Sequence, residues 1–117
     1  LLQDDVSGLQ VFKDGLWHVV QPIDGAFVIN IGDMVQVWSN AEYRAALHRV
    51  AAMEEVERYS IPFFYNPSYE AQIAPLAFSA GQERYRAIDW GEFRRRRADG
   101  DFADVGKEVQ ISDYAVG

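Results

Sequence analysis

Residues 46–64 read ALHRVAAMEEVERYSIPFF, and this stretch contains two runs that are typical of β-strands. The first run spans residues 46–50 and the second spans residues 57–65, with a polar connection at residues 53–55. Side chains alternate across a strand, so residues two apart share a face. His48 therefore shares a face with apolar neighbours, and we predict that its imidazole points toward the interior of the fold.

The second run has one polar and one apolar face. Arg58 and Ser60 share the polar face, whereas Tyr59, Ile61 and Phe63 share the opposite one. Arginine offers a bidentate fork to a carboxylate, and a neighbouring hydroxyl adds a hydrogen bond. A buried arginine also needs an anionic partner. The pair predicts a site for a small carboxylate, with Phe63 in the core; the alternative is a solvated strand edge with a surface ion pair.

An imidazole beside a carboxylate-binding pair fits a non-haem iron site, where two histidines and one carboxylate hold one face of the metal. His48 is a candidate ligand on this basis. The alternative is a hydrogen-bonded structural histidine. His18, next to Trp17, has no ligand spacing around it, and we predict a surface or packing role for its ring.

The preceding part of the chain is also predicted as β-structure. Residues 9–12 and 16–20 flank the turn sequence Lys13-Asp14-Gly15, which indicates a hairpin. Residues 26–31 and 34–38 are predicted as two further strands. Short strands at this spacing, joined by glycine and aspartate turns, are typical of an antiparallel sandwich or jelly roll.

The pattern changes toward the C-terminus. Residues 69–76 are predicted as a loop that follows the strands, and Ser79-Ala80-Gly81 precedes residues 82–88. Residues 90–97 are predicted as a short helix, with Trp90 and Phe93 docking it onto the core. The remainder is predicted as a second short helix and a loose tail.

The charge balance excludes some partners. The 117 residues carry a net charge of -7, which disfavours nucleic acid as a partner. The four arginines at residues 94–97 could form a basic patch, but Glu92, Asp99 and Asp101 favour a solvated, ion-paired helix.

The composition indicates a single domain with a packed core, because 49% of the residues are hydrophobic. The absence of cysteine rules out disulfides and thiolate metal sites and predicts a cytoplasmic location. We expect no membrane association, because no apolar run approaches the roughly 20 residues of a span.

Residues 1–67 resemble the C-terminal half of the isopenicillin-N-synthase-like 2-oxoglutarate/Fe(II)-dependent oxygenases. The matching segments come in the family's order and at its spacing, and they cover over half of the chain. They are LLQDD at 1–5, GLQV at 8–11, Trp17, Pro22, NIGD at 30–33, WSN at 38–40, LHRV at 47–50 and RYSIPFF at 58–64.

The resemblance implies a mainly β fold: a partial double-stranded β-helix (jelly roll, cupin-like) with short C-terminal helices. Residues 1–67 would form the C-terminal half of that domain, and residues 68–117 its C-terminal loop and helical extension. The cofactor implied is Fe(II), with 2-oxoglutarate as cosubstrate. Dioxygen and a small organic substrate would be the partners, and 2-oxoglutarate would be decarboxylated to succinate.

The family's site residues carry over individually. His48 would be the distal histidine ligand of Fe(II), Arg58 would bind the distal carboxylate of 2-oxoglutarate, and Ser60 would hydrogen-bond the same group. Asn30 and Asp33 resemble a structural strand-and-turn element. The family's C-terminal segment often closes over the active site, so the tyrosines of this region are candidates to line a substrate pocket. These are Tyr65, Tyr69 and Tyr85.

The chain departs from the family at its other two metal ligands. The family's His-x-Asp motif lies on the strand just before the position of Leu1, and we expect a longer parent protein to supply it. Asp4 and Asp5 lie beyond the motif's place, and we predict solvated turn carboxylates there. One imidazole cannot hold a catalytic Fe(II) firmly, so these 117 residues alone are expected to be inactive.

Three functions remain open from the sequence. The first is an oxygenase that hydroxylates, desaturates or cyclises a small organic substrate. The second is an iron-dependent oxidase that does not use 2-oxoglutarate, because some family members keep the Arg-x-Ser pair for another anion. The third is a non-catalytic β-barrel binding module.

Overall fold

The computed structural model describes residues 1–52, 55–76, 81–103 and 108–117, and for residues 101–103 only the helical backbone. The elements are β1 (Leu2–Gln3), β2 (Leu9–Lys13), β3 (Leu16–Val19), α1 (Asp33–Trp38), β4 (His48–Val50), β5 (Ser60–Ile61), β6 (Gln72–Ile73), β7 (Ile88–Asp89), α2 (Trp90–Ala103) and a 3-10 helix (Ile111–Tyr114). Within the described ranges, every helix is too short or too polar to cross a bilayer.

The chain folds into two compact units. The first unit comprises Leu1–Ile31 and Ala45–Phe64, and the second comprises Gly32–Arg44 and Tyr65–Gly117. The segment with α1 thus belongs to the same unit as the C-terminal region. The sequence predicted a different division, with residues 1–67 in the double-stranded β-helix and residues 68–117 in its C-terminal extension. That division stays a prediction.

The predicted hairpin in the first unit is confirmed. β2 pairs with β3 in an antiparallel register that places Lys13 opposite Leu16. Both turn residues have positive φ angles, 52° at Asp14 and 81° at Gly15. A turn with two positive φ angles matches the right-handed twist of the flanking strands, which is why Asp-Gly is favoured there.

β4 pairs with the other edge of β2, which gives the sheet order β3-β2-β4. Val11 lies opposite His48 in this register. The strand predicted at residues 57–65 is reduced to β5, which pairs antiparallel with β1 and places Gln3 opposite Ser60. Pro62 follows β5 directly, and its missing N–H prevents the ladder from continuing.

Two predicted strands are absent from the structure. Residues 26–31, all of them described, form no strand, and Asp33–Trp38 is an α-helix. Met34 and Val37 lie three residues apart on that helix and are both buried. The apolar spacing therefore satisfies one face of a helix, and packing in the second unit overrides the β-propensity of the valines.

The second unit contains the larger core. Its most buried side chains are Val37, Ile73, Ile88 and Phe93. β6 and β7 pair antiparallel, with Ile73 opposite Ile88. The sequence prediction of a simple loop at residues 69–76 was therefore wrong at β6.

Helix α2 is longer than the predicted residues 90–97. It begins where the Asp89 carboxylate accepts the backbone N–H of Glu92, which satisfies an otherwise unpaired donor of the first turn. Trp90 is 5% exposed and Phe93 1% exposed, so their prediction as docking anchors is confirmed. Their rings stack with centroids 5.6 Å apart.

Of the C-terminal tail, residues 108–117 are described, and they contain a 3-10 helix that packs onto the core rather than a loose end. Tyr114 is buried and meets Phe93 edge to face, with ring centroids 5.9 Å apart. Tyr85 and Ala115 form an isolated antiparallel bridge. An aromatic ring in the core thus anchors the 3-10 helix, which is the second short helix that the sequence predicted.

Some predictions fall outside the described residues. These are the first two positions of the polar connection at 53–55, positions 79 and 80 of Ser79-Ala80-Gly81, and positions 104–107 of the C-terminal region.

Phe63 is not a core residue. Its side chain is 82% exposed, and the residues expected on the same face, Tyr59 and Ile61, are 66% and 67% exposed. The strand predicted at residues 57–65 would have carried this face, but β5 ends at Ile61. In the described part of the chain, the face is open to solvent.

Candidate functional site

The half-buried side chain of Arg58 is held by three hydrogen bonds. Its Nη1 donates to Ser60 Oγ at 3.2 Å, so the structure brings together the two residues that the strand alternation placed on one face. Its Nε donates to the carbonyl oxygen of Val6 at 3.1 Å, and its Nη2 donates to Gln3 Oε1 at 2.9 Å. All three acceptors belong to the first unit.

The three acceptors of Arg58 are a hydroxyl, a backbone carbonyl and an amide, and all are neutral. Among the described residues, the salt bridges involve Arg96 and Arg97, and none reaches Arg58. The alternative, in which Arg58 forms a surface ion pair, is therefore not supported, because no carboxylate of the described residues pairs with Arg58. A half-buried guanidinium with five N–H donors, three of them bonded, retains both charge and donors for an anion.

Asp4 ties the chain together beside Arg58. One of its carboxylate oxygens accepts the N–H of Val6 at 3.1 Å, and the other accepts the N–H of Tyr59 at 2.6 Å. The N–H of Asp4 itself donates to the carbonyl of Tyr59 at 3.1 Å. The prediction of a solvated turn carboxylate is therefore wrong for Asp4, which is half-buried, whereas Asp5 is exposed as expected.

The side chain of Tyr59, the residue that follows Arg58, is exposed. Its hydroxyl donates to Glu57 at 2.7 Å. This hydrogen bond is the largest cause of a raised pKa of Tyr59, followed by burial and by the charge of Asp4. The phenol therefore stays protonated and is unsuited to act as a general base near neutral pH.

His48 lies on β4, and its side chain is exposed rather than interior. β4 has β2 on one side only, so it forms an edge of the three-stranded sheet. Nδ1 lies 2.9 Å from the carbonyl oxygen of Ala46 and 3.5 Å from the amide nitrogen of Asn30. Because a carbonyl only accepts, the shorter contact assigns the hydrogen to Nδ1 and leaves the lone pair on Nε2.

This arrangement fits one metal ligand. Histidine ligands commonly donate their second ring N–H to a carbonyl or carboxylate, which orients the ring. Within the described ranges, no three His, Asp or Glu side chains group closely enough to hold a metal ion. His48 and Ser60 also lie in different sheets, on β4 paired with β2 and on β5 paired with β1.

The other candidate residues are placed as follows. His18 is exposed, with Nε2 3.3 Å from the Lys13 carbonyl, which agrees with its predicted surface role. Tyr65 and Tyr69 are 93% and 66% exposed. Tyr85 is 7% exposed, accepts a hydrogen bond from Gln36 and belongs to the core of the second unit, and the pocket-lining role of the three tyrosines stays a prediction.

Asp33 is not part of a strand and turn. It is the first residue of α1, and its carboxylate meets Arg97 at 2.7 Å. Arg97 also bonds Glu108 at 2.7 Å. Burial lowers the pKa of Arg97, but the hydrogen bonds and charges of Glu108 and Asp33 outweigh burial and raise it above its ordinary value. Of the arginine run, Arg96 pairs with the predicted partner Glu92 at 3.9 Å, whereas Arg97 is half-buried and pairs with Asp33 and Glu108, which the sequence did not predict.

Sequence reasoning missed two of the three hydrogen-bond acceptors of the Arg58 guanidinium. Gln3 and Val6 lie 55 and 52 residues away in the chain. The pattern of the sequence carries no signal for either contact. Only the pairing of β1 with β5 brings them to Arg58.

A groove of about 560 Å³ lies on the surface of the first unit near these residues. It is lined by Val50, Ala51 and residues 55–59, and two glutamates contribute to its wall. The hydrogen bonds of the Arg58 guanidinium run to residues that do not line this groove. The two glutamates disfavour a carboxylate ligand inside the groove. The candidate anion site is therefore the guanidinium group of Arg58, whose nitrogens bond Val6, Ser60 and Gln3.

Comparison with known proteins places the chain in a defined group. A model of the "2OG-Fe(II) oxygenase superfamily" matches residues 1–67. Protein DMR6-LIKE OXYGENASE 2 of Arabidopsis thaliana is 46% identical over 98 residues, which cover 80% of this chain and 28% of that protein. 1-Aminocyclopropane-1-carboxylate oxidase 5 of the same plant is 48% identical over 97 residues, covering 80% of this chain and 32% of that protein.

A solved structure agrees with these relatives. The crystal structure of JOX2 in complex with 2OG, Fe and JA superimposes with a TM-score of 0.75 at 40% identity, covering 80% of this chain and 29% of that one. The chain therefore spans 28% to 32% of the length of these three proteins.

Proposed function

Because the chain belongs to the 2OG-Fe(II) oxygenase superfamily, we propose that it contributes the carboxylate anchor and one iron ligand to a 2-oxoglutarate-dependent oxygenase. The superfamily is one of Fe(II)- and 2-oxoglutarate-dependent oxidoreductases, and the solved structure of JOX2 contains both 2OG and Fe. Arg58 and Ser60 are the proposed anchor for the distal carboxylate of 2-oxoglutarate. His48 is the proposed metal ligand through Nε2.

The observation that carries the proposal is the environment of the Arg58 guanidinium. The guanidinium is half-buried, oriented by three neutral acceptors and not paired with a carboxylate among the described residues. Such a charge is costly without a counter-ion, and a dicarboxylate ligand supplies one. The Ser60 hydroxyl lies 3.2 Å from Nη1 and would add a hydrogen bond to the same carboxylate.

When bound, iron and cosubstrate supply dioxygen activation with decarboxylation of 2-oxoglutarate to succinate. The residues of this chain bind and orient. Arg58 and Ser60 hold the far end of the cosubstrate, and His48 holds the metal with its ring fixed by the Ala46 carbonyl. The substrate class proposed is a small organic molecule that is hydroxylated, desaturated or cyclised. The likeness to a solved oxygenase supports a partial double-stranded β-helix.

The anchor is tested by Arg58→Ala in the complete gene product. Direct calorimetric binding of 2-oxoglutarate, without oxygen and with Mn(II) in place of iron, should weaken by about 2 kcal/mol or more, since a charge-assisted pair is lost. Arg49→Ala is the matched control, because Arg49 stacks on Trp17 and bonds Gln10 instead. Unchanged 2-oxoglutarate affinity in Arg58→Ala would refute the role.

The metal ligand is tested by His48→Ala with His18→Ala as its control. Iron-dependent turnover should disappear in the first variant and persist in the second, and Fe(II) affinity should fall only in the first. Retention of normal Fe(II) binding by His48→Ala would remove His48 from the ligand set.

A second candidate function is an oxidase that uses the same anchor for a substrate carboxylate. The observation that favours it is the 48% identity to a protein named 1-aminocyclopropane-1-carboxylate oxidase 5. Succinate formed per substrate consumed separates the two functions. Product formation without succinate would assign Arg58 and Ser60 to the substrate rather than to 2-oxoglutarate.

A further inference from the structure

We propose that Gln3 is a positioning residue for Arg58, and that its neutral amide is what leaves the arginine charge available to a ligand carboxylate. The inference rests on the proposed function of Arg58 as the anchor. It concerns a residue that does not itself touch the ligand. Gln3 would fix the orientation of the guanidinium and set the affinity for the dicarboxylate.

The geometry of Gln3 is set by strand pairing. β1 and β5 pair so that Gln3 lies opposite Ser60. The Gln3 amide oxygen accepts Nη2 of Arg58 at 2.9 Å, and the Val6 carbonyl accepts Nε at 3.1 Å. Two of the three guanidinium nitrogens are thus held by the segment that contains β1, and the third is held by Ser60. A planar group held at all three nitrogens cannot rotate freely.

The charge of the nearby groups explains why a glutamine suits this position. A glutamate of nearly the same shape would form a charge-assisted pair with Arg58 and compete with any ligand carboxylate. Asp4, in the segment that contains β1, already accepts the backbone N–H groups of Val6 and Tyr59 with its two oxygens. The carboxylate of Asp4 therefore shapes the turn and does not pair with Arg58.

Arg97 shows the opposite arrangement within the same chain. Its guanidinium meets Asp33 and Glu108, each at 2.7 Å. Two carboxylates compensate that arginine fully, as a structural ion pair requires. Arg58 is oriented by three neutral acceptors instead, so its charge has no carboxylate partner among the described residues.

The test is Gln3→Glu in the complete gene product, with Gln10→Glu as the matched control. Gln10 accepts Nε of Arg49 at 2.8 Å, so the control introduces the same charge beside an arginine on the three-stranded sheet. Calorimetric titration with 2-oxoglutarate, without oxygen and with Mn(II), should show about tenfold or greater weakening in Gln3→Glu and less than about twofold in Gln10→Glu.

A second readout separates positioning from stability. The melting temperature of Gln3→Glu should equal or exceed that of the unmodified protein, because the new ion pair stabilises the fold while it competes with the ligand. Gln3→Leu, which removes the acceptor without adding charge, should raise the KM for 2-oxoglutarate and leave kcat unchanged at saturation. If Gln3→Glu fails to fold, an unchanged KM in Gln3→Leu overturns the inference.

The outcomes also separate this inference from the proposed function. If Arg58→Ala loses 2-oxoglutarate binding but Gln3→Glu binds normally, the inference about Gln3 fails and the anchor stands. If Arg58→Ala binds normally, the anchor itself fails. Weakened binding in both, with Gln10→Glu unaffected, supports the positioning role.

Discussion

Asp4 shows how far the role of a single residue depends on contacts that are distant in sequence. The carboxylate accepts one N–H two residues ahead and another from Tyr59, 55 residues away. Asp5, its neighbour of the same chemical type, is exposed. Backbone donors that are partly shielded from water need an acceptor, and Asp4 supplies two. The residue therefore stabilises the turn that presents Val6 to Arg58.

Asp4→Ala should lower the free energy of unfolding by about 1–3 kcal/mol, because two backbone donors lose a charged acceptor. Urea unfolding followed by tryptophan fluorescence measures the change. Asp5→Ala is the control and should shift the midpoint little. Equal effects of the two substitutions would show that the hydrogen bonds of Asp4 do not stabilise the fold.

Arg97 makes a prediction about pH. Its raised pKa means that its contribution to stability is fully present below the ordinary arginine value and is lost only as the pH rises through the raised value. Arg97→Ala should therefore destabilise by about 1–2 kcal/mol, and by the same amount at about pH 6 and pH 9. Thermal unfolding checks this against Arg95→Ala, an exposed arginine of the same helix. A stability loss that differed between the two pH values would contradict the assignment.

At the scale of the element, α1 and α2 show which signals a helix requires. Residues 34–38 contain two valines and a tryptophan, which favour a strand locally. Burial of Met34 and Val37 on one face in the second unit makes the segment a helix instead. Helix α2 begins at a side-chain cap from Asp89 and lies close to the chain at Tyr69, where Gly91 donates its N–H to the Tyr69 carbonyl at 3.0 Å.

Gly91→Ala tests this close approach. A Cβ at residue 91 would lie 2.7 Å from the carbonyl oxygen of Tyr69, so backbone must shift. We expect a loss of about 1–3 kcal/mol in unfolding free energy, even though alanine is the better helix former. Gly32→Ala is the control, since a Cβ there meets nothing within 4 Å, and it should cost about 0.5 kcal/mol. Chemical unfolding that ranks the two in the opposite order would exclude the steric explanation.

At the scale of the whole molecule, the two units differ in how well their apolar residues are buried. The second unit has an extended core around Phe93 and Val37. In the first unit, Ile61 and Phe63 are largely exposed, and so is Phe64 at 78%. Contiguous exposed apolar surface of this kind favours association.

The 117 residues expressed alone should therefore self-associate. Sedimentation velocity over a range of concentrations should show species larger than a monomer, and Phe63→Ser with Phe64→Ser should reduce them. Leu16→Ser provides the comparison, because Leu16 is 65% exposed at the hairpin turn and belongs to a different sheet from Ile61. A chain that remains monomeric at every concentration would show that these aromatic side chains do not drive association.

The sequence by itself determined the hairpin at Asp14-Gly15 and the pairing of Arg58 with Ser60. Both depend on preferences that act within a few residues: positive φ angles at the turn and the alternation of side chains. The family assignment from short matches along residues 1–67 was confirmed. The roles of His48, Arg58 and Ser60 in binding remain predictions.

Tertiary structure alone decided the rest. It made residues 33–38 a helix, left His48 and Phe63 exposed, and brought Gln3 to Arg58 from 55 residues away. Local propensity cannot predict such contacts, because they form only when strand pairing closes a long loop and burial determines which face is covered. The residues that orient the anchor were therefore visible only in the folded chain.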